Sequence, residues 1–252
     1  MQFLFSDCLI KYILKIHKNL IKNKIFCNIV SLKKDFMSSD VEISTFEKFK
    51  LGPSILKVKI PKEILNKLNK YCDKVIADSI KSESLNWGNK LVGDVSQEFK
   101  VEPEFVMSSG FYKFLAECVG RWIFSETNKN ITKFEIKNTW VVRQFENEYN
   151  PTHWHSGHLS GAGFLKLPED FGKHYQQNKS KEYRGGNLQL IHGSRMFLCH
   201  SIMNIVPKVG DFYFFPNYLM HSVFPFKGSN SERRSISFNA SVDDKIYNIY
   251  GS

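Results

Sequence analysis

From about residue 137 the chain runs in short stretches of β-branched and aromatic residues, parted by Gly, Pro, Asn and Ser. That punctuation limits the fold more than any other feature. The stretches are approximately 138–145, 160–167, 186–191, 201–206, 211–215, 219–224 and 233–242. Strands of this length and spacing predict an antiparallel sandwich or barrel. The run Phe212, Tyr213, Phe214, Phe215 reads as a strand buried on both faces rather than a stacking platform. Residues 168–184, PEDFGKHYQQNKSKEYR, are polar and lack apolar periodicity, so they read as a long surface loop of the kind used as a lid.

Ahead of the strands the rhythm is helical. Ile64, Leu65, Leu68, Tyr71, Cys72, Val75, Ile76 and Ile80 recur at three- and four-residue spacing, which predicts a helix over 61–81 with Pro61 in its first turn. Phe105, Phe111, Phe114, Leu115, Cys118, Val119 and Trp122 predict a second over 104–125, and the Gly- and Asn-punctuated stretch 84–101 reads as loop. Helices first and strands after imply one α+β domain with helices on the outside of a β-core. The expected organisation is an N-terminal extension, 1–36, followed by a single domain, 37–252, with its β-core at about 138–242.

The net charge is +10, a value that by itself suggests nucleic acid or an anionic membrane surface. Its distribution weakens both ideas. Lys11, Lys15, Lys18, Lys22, Lys24, Lys33 and Lys34 against Asp7 and Asp35 give the first 36 residues +5. Arginine, the residue a duplex-reading surface favours, occurs only at positions 121, 143, 184, 195, 233 and 234. Nucleic acid is therefore disfavoured as a partner. The first 36 residues are apolar and basic; they read as an upstream extension or tail before Met37, as a membrane-surface or partner helix, or as a targeting peptide. Their longest uncharged run is too short to span a bilayer. Five scattered cysteines, Cys8, Cys27, Cys72, Cys118 and Cys199, show no CxxC spacing, which fits a reduced cytoplasm better than a disulfide framework or zinc finger.

The chemistry-bearing residues are histidines. His153 and His155 stand two apart at the start of a strand-like run, and strand geometry puts residues i and i+2 on one face, so both imidazoles can converge on one metal ion. The competing reading is a pair of solvated loop histidines beside Pro151. His221 lies in a later strand-like run, NYLMHSVFPF. Two ligands from one strand and one from a distant strand form the facial arrangement of non-haem iron sites, normally two His and one carboxylate. His158 is an alternative ligand or supporting group, whereas His17, His174, His192 and His200 have no partner at useful spacing. Gly185 and Gly186 read as a tight turn rather than a phosphate loop, because no GxGxxG or GxxxxGK pattern follows. No G-x-S-x-G or Cys/His nucleophile signature is present.

Five ordered motifs carry a resemblance. They are EYNPTHWHSGHLSG (148–161), FLKLPE (164–169), GGNLQL (185–190), VPKVGDFYFFPNYLMHSVFPF (206–226) and ERRSISFN (232–239). In these the chain resembles the prolyl-hydroxylase-like group of the 2-oxoglutarate/Fe(II)-dependent dioxygenases, in particular oxygenases of marine bacteria and phages; residues 85–100 are similar to the segment ahead of the core in such proteins. The resemblance implies a double-stranded β-helix of jelly-roll or cupin type, Fe(II), 2-oxoglutarate and O₂, and hydroxylation of an unactivated C–H bond in a peptidyl or small-molecule substrate, with succinate and CO₂ formed. It implies metal ligands at His153, His155 and His221, and Arg233 as the anchor for the distal carboxylate of 2-oxoglutarate. A guanidinium suits that role through two parallel hydrogen bonds. Period-2 alternation puts Arg233, Ser235, Ser237 and Asn239 on one face of their strand and Arg234, Ile236 and Phe238 on the other.

Two departures from the family pattern stand out. His155 replaces the usual acidic ligand, and Phe164 stands where a tyrosine hydroxyl often reaches the same carboxylate. Arg143, Gln144 and Tyr213 are the candidates to compensate. Two other functions compete: a three-His metalloenzyme, oxygenase or otherwise, that does not use 2-oxoglutarate, and a noncatalytic β-sandwich binding module. The first has no need of a carboxylate clamp at Arg233, and the second has no need of metal.

Overall fold

A computed structural model describes residues 46–50, 52–176, 178–194 and 200–249. The readings of residues 1–36 and Met37, and those of Cys8, Cys27, Cys199 and His17, lie outside the described residues. In chain order the elements are β1 Phe46–Lys50, β2 Ser54–Lys59, α1 Lys62–Ala77, α2 Ser79–Ser84, β3 Gln97–Lys100, α3 Pro103–Ser108, α4 Phe111–Thr127 and β4 Phe134–Gln144. They continue as β5 Asn150–His153, β6 Leu159–Lys166, β7 Leu188–Ile191, β8 Ile202–Ile205, β9 Asp211–Pro216, β10 Met220–Val223, β11 Arg233–Val242 and α5 Asp244–Tyr247.

The strands form two antiparallel sheets in a mixed α/β architecture. The larger runs β1-β2-β9-β6-β11-β4-β3 and the smaller β5-β10-β7-β8. From β4 onward eight strands divide equally between the two, and the chain crosses from one sheet to the other at almost every turn. Two apolar clusters hold the layers. Phe164, Leu188, Leu190, Ile205, Tyr213, Phe215 and Val223 belong to one, which draws on both sheets. The other joins the helices to the large sheet, with Phe111 and Phe114 of α4 edge-on to Phe212 of β9. Strand β9 therefore contributes Phe212 and Phe214 to the helical side and Tyr213 and Phe215 to the inter-sheet side, the period-2 consequence of a strand covered on both faces.

Several boundaries differ from the periodic reading. The helix predicted over 61–81 is two helices, because Asp78 is extended (φ −110°) and its carboxylate accepts from Lys81 N, starting α2 as an N-cap. The helix predicted over 104–125 is also broken, at Gly110, whose φ of +87° lies in the left-handed region that favours glycine. Strands are not confined to the C-terminal part. β1 and β2 precede the helices and extend the large sheet beyond β9, while β3 arises inside the stretch read as loop and extends the opposite edge beside β4. β3, QEFK, has one aromatic and no β-branched residue, so composition does not distinguish it from loop. The segment 168–184 carries neither helix nor strand among its described residues.

Candidate active site

β5 and β10 are adjacent and antiparallel, and their register sets His153 opposite His221. Their ring centroids are 4.2 Å apart. His155 lies just beyond the end of β5, so the strand leads into the histidine pair instead of starting from it. Its position is held by its backbone N–H, which donates to Asn217 O at 3.0 Å, and by the edge of the Trp140 ring. One ligating atom from each of the three residues falls within 4.8 Å of the others. His155 Nε2 is 3.1 Å from His221 Nε2.

Two short hydrogen bonds orient these rings. His153 Nδ1 donates to Pro151 O at 2.7 Å, and His221 Nδ1 donates to Leu219 O at 2.9 Å. With the proton on Nδ1, each Nε2 presents a lone pair to the shared space, the arrangement that a metal-binding imidazole requires. Burial favours the same neutral form. It lowers the pKa of all three, His155 to about 2 and His221 to about 3, with neighbouring imidazoles adding to the effect on those two. Three neutral imidazoles on one side of a cavity suit a first-row divalent metal and leave other coordination positions open. Iron(II) fits this donor set.

The histidines share a cavity of about 120 Å³ with Arg233, Ser235 and Ser237 of β11 and with Trp140 and Val142 of β4. Arg233 is 1% exposed. Its Nε donates to Gly186 O at 2.9 Å, one Nη makes a long contact of 3.4 Å to Ser235 Oγ, and the guanidinium carbon sits 5.1 Å from the Phe164 ring centroid. No carboxylate pairs with it among the described residues. Desolvation without an anion lowers its pKa to about 9, so an anion entering the cavity would relieve an existing electrostatic cost. Arg234 points to the other face and is already neutralised by Asp73 at 2.7 Å and Glu232 at 2.6 Å. The alternation predicted for 233–239 holds as far as Ser237. Asn239 instead joins its side chain to Ser160 Oγ and does not line the cavity.

Three other sequence candidates are placed elsewhere. His158 stacks on Tyr247, accepts from Val242 N through Nδ1, and lies outside the three-His cluster. Arg143, Gln144 and Tyr213 do not line the cavity: Arg143 pairs with Glu232 and Gln97, and Gln144 donates to Glu148 O and Phe224 O. Ser235 is the hydroxyl beside Arg233. His192 and His200 are exposed, whereas His174 is half-buried, with Nε2 2.8 Å from Lys181 O and its ring edge-on to Tyr183. Gly186 occupies the predicted turn with φ +73° and supplies the carbonyl that holds Arg233. Glu98 and Asn150, also in the cavity wall, were missed because neither belongs to a spacing pattern.

Residues 138–239 match the family model described as "Putative 2OG-Fe(II) oxygenase". The matched region is a 2-oxoglutarate- and Fe(II)-dependent oxygenase core. The protein is accordingly a 2-oxoglutarate-dependent dioxygenase, with Fe(II) as its metal and 2-oxoglutarate and O₂ as cosubstrates. No curated protein matches the oxygenase. Among solved structures, a Pseudomonas putida prolyl-4-hydroxylase aligns at 14% identity and TM-score 0.47, covering 77% of this chain and 91% of that one. A viral collagen prolyl hydroxylase from Paramecium bursaria Chlorella virus-1 aligns at 18% identity and TM-score 0.44, with 74% and 94% covered. A Trichoplax adhaerens prolyl hydroxylase, solved with a hypoxia-inducible factor peptide fragment, aligns at 12% identity and TM-score 0.44, with 82% and 87% covered.

Proposed function

We propose that the oxygenase hydroxylates an unactivated C–H bond of a substrate presented at the cavity mouth, with His153, His155 and His221 as its metal ligands and Arg233 as the anchor for 2-oxoglutarate. The observation that carries this reading is the pairing, in one small cavity, of three convergent neutral imidazoles with a buried guanidinium that has no anionic partner among the described residues. Iron bound there with 2-oxoglutarate supplies the oxidation, giving succinate and CO₂ and transferring one oxygen atom to substrate.

The chain's own work is positional. The carbonyls of Pro151 and Leu219 keep two imidazoles in the ligating tautomer. Arg233 is aimed in advance by Gly186 O, so little reorganisation accompanies carboxylate binding. Phe164 replaces a hydroxyl with a ring face 5.1 Å from the guanidinium, which stabilises the cation without competing for its anion. Val142, Leu188, Phe215 and Val223 present apolar walls that keep water from the site.

The same reading takes the eight strands from β4 to β11 as a double-stranded β-helix with the N-terminal helices against its outer face, and residues 37–252 as one domain preceded by the extension 1–36. It places the protein in the cytoplasm, which the free, buried thiols of Cys72 and Cys118 support. No helix among the described residues is long and apolar enough to cross a membrane. Its partner is a peptidyl or small-molecule substrate rather than nucleic acid. A metalloenzyme without 2-oxoglutarate leaves Arg233 buried with no use for its charge, and a noncatalytic binding module leaves the three imidazoles without a metal.

The test is anaerobic Fe(II) reconstitution followed by O₂-dependent conversion of 2-oxoglutarate to succinate. His221→Ala is expected to abolish turnover. Arg233→Ala should raise the KM for 2-oxoglutarate by about 10- to 100-fold, the worth of a charge-assisted hydrogen-bonded pair. Equal succinate formation in all three proteins would refute the assignment.

A further inference from the structure

The cavity contains one charged group that the oxygenase reading does not use. Glu98 of β3 is 4% exposed and lines the same cavity as the histidines and Arg233. Its backbone belongs to the β3–β4 ladder opposite Val142, a role that requires no carboxylate. Among the described residues its side chain has no hydrogen-bond or ion-pair partner. Lys90 and Arg233 line the cavity too, and neither pairs with it. Asn150, the first residue of β5, has a buried Oδ1 that is likewise unpartnered. These oxygens converge over Gly93: a Cβ built there would overlap Asn150 Oδ1 and lie 2.8 Å from Glu98 Oε1. Two acceptors thus lie close enough for a single nitrogen donor to bridge them, and the absence of a side chain at residue 93 lets both oxygens pack against its backbone.

A buried acceptor without a donor destabilises the free protein, and a buried carboxylate does so more strongly. Burial accordingly raises the Glu98 pKa to about 7. A ligand bringing a cation would remove that cost. The cavity, at about 120 Å³, is smaller than the 300–1,000 Å³ typical of sites that enclose a whole drug-sized ligand. A side chain or a similar small group suits that space better than a whole drug-sized ligand. At the rim Trp154 and Val92 are 65% and 51% exposed and offer an apolar surface to whatever stays outside.

Resting on the oxygenase reading of this cavity, we propose that Glu98 and Asn150 form its substrate-recognition pair and select a side chain ending in a cationic nitrogen, an ammonium or a guanidinium. The pair holds the charged end of the side chain, and the geometry of the cavity then determines which C–H bond faces the metal.

The probes are the N-acetyl amides of lysine, arginine, norleucine and glutamate, with norleucine as the neutral control. Binding is measured by titration calorimetry to the Fe(II)- and 2-oxoglutarate-loaded protein under argon, and probe-dependent succinate formation is measured after O₂ is admitted. At least one cationic probe should bind about tenfold or more tightly than the norleucine probe, the worth of one charge-assisted contact. That preference should shrink to within about threefold in Glu98→Gln and widen in Asn150→Asp, with thermal melting used to verify that both variants fold. A norleucine or glutamate probe that binds as tightly as the cationic ones, no binding by any probe, or a folded Glu98→Gln variant that keeps the preference would each overturn the proposal. Cation preference lost in Glu98→Gln without succinate formation in any protein would overturn the oxygenase reading and leave the cation pocket standing.

Discussion

Arg233 and Arg234 are adjacent, yet the two-residue period of β11 sends them to opposite faces of the sheet, where they meet opposite environments. Arg234 finds Asp73 and Glu232; Arg233 finds a backbone carbonyl, a hydroxyl and an aromatic face. The pair is a measure of how far burial alone determines a side chain's use: one charge is spent on tying α1 to the sheet, and the other is left waiting for an anion. Glu98 is the acidic counterpart of Arg233, and its isolation has a thermodynamic signature. Its pKa is raised from the usual 4.5 to about 7. Below pH 4.5 the carboxyl is protonated in both folded and unfolded chains and costs nothing. Between 4.5 and 7 the unfolded chain gives up the proton while the folded protein keeps it, so stability falls as pH rises, and above 7 the whole cost is present. Urea unfolding of the metal-free protein should therefore show the stability of Glu98→Gln relative to wild type rising by roughly 2–3 kcal/mol between pH 4.5 and pH 8. A difference independent of pH would mean that Glu98 is already satisfied.

At the scale of elements, β6 shows how a strand makes room for its neighbours. Its residue Gly163 lies opposite Phe212 of β9 and Ile236 of β11, and a Cβ built on it would overlap the Phe212 ring. The missing side chain lets that ring lie flat against the sheet and still reach Phe111, Phe114 and Phe238. Gly163→Val should destabilise the protein by about 1–3 kcal/mol through overpacking, read as a lower urea midpoint at unchanged m-value. Both long helical stretches are broken by local chemistry that periodicity does not register: a carboxylate that caps better than it propagates at Asp78, and a left-handed turn at Gly110. The seven strand runs are legible because apolar, β-branched and aromatic residues are concentrated between turn residues, even where the strand is only four residues long, as in β7, β8 and β10. β3 (QEFK) and β5 (NPTH) lack that composition and are seen only through their pairing with β4 and β10.

For the whole molecule, the site is a product of two sheets. His221 reaches His153 because β10 pairs with β5 in the smaller sheet, while Arg233 and Glu98 approach from the larger one. Ligand binding should therefore stabilise both sheets together. Fe(II) at a hundredfold excess over its dissociation constant should add about 2.7 kcal/mol, and 2-oxoglutarate should add a further increment. Anaerobic calorimetry should show both increments in wild type and only the metal increment in Arg233→Ala; loss of both would assign Arg233 to the metal site itself. The sequence by itself determined the strand-rich core, the alternating faces of residues 233–237 and, through five ordered motifs, which histidines and which arginine are the proposed ligands and clamp. Composition, a repeat of two and a short motif are all local. Only the tertiary structure decided which distant strands lie side by side, where the helices stop, and that an isolated carboxylate and an amide oxygen meet over Gly93. Those depend on hydrogen-bond register and burial between residues far apart in the chain, for which no local spacing carries a signal.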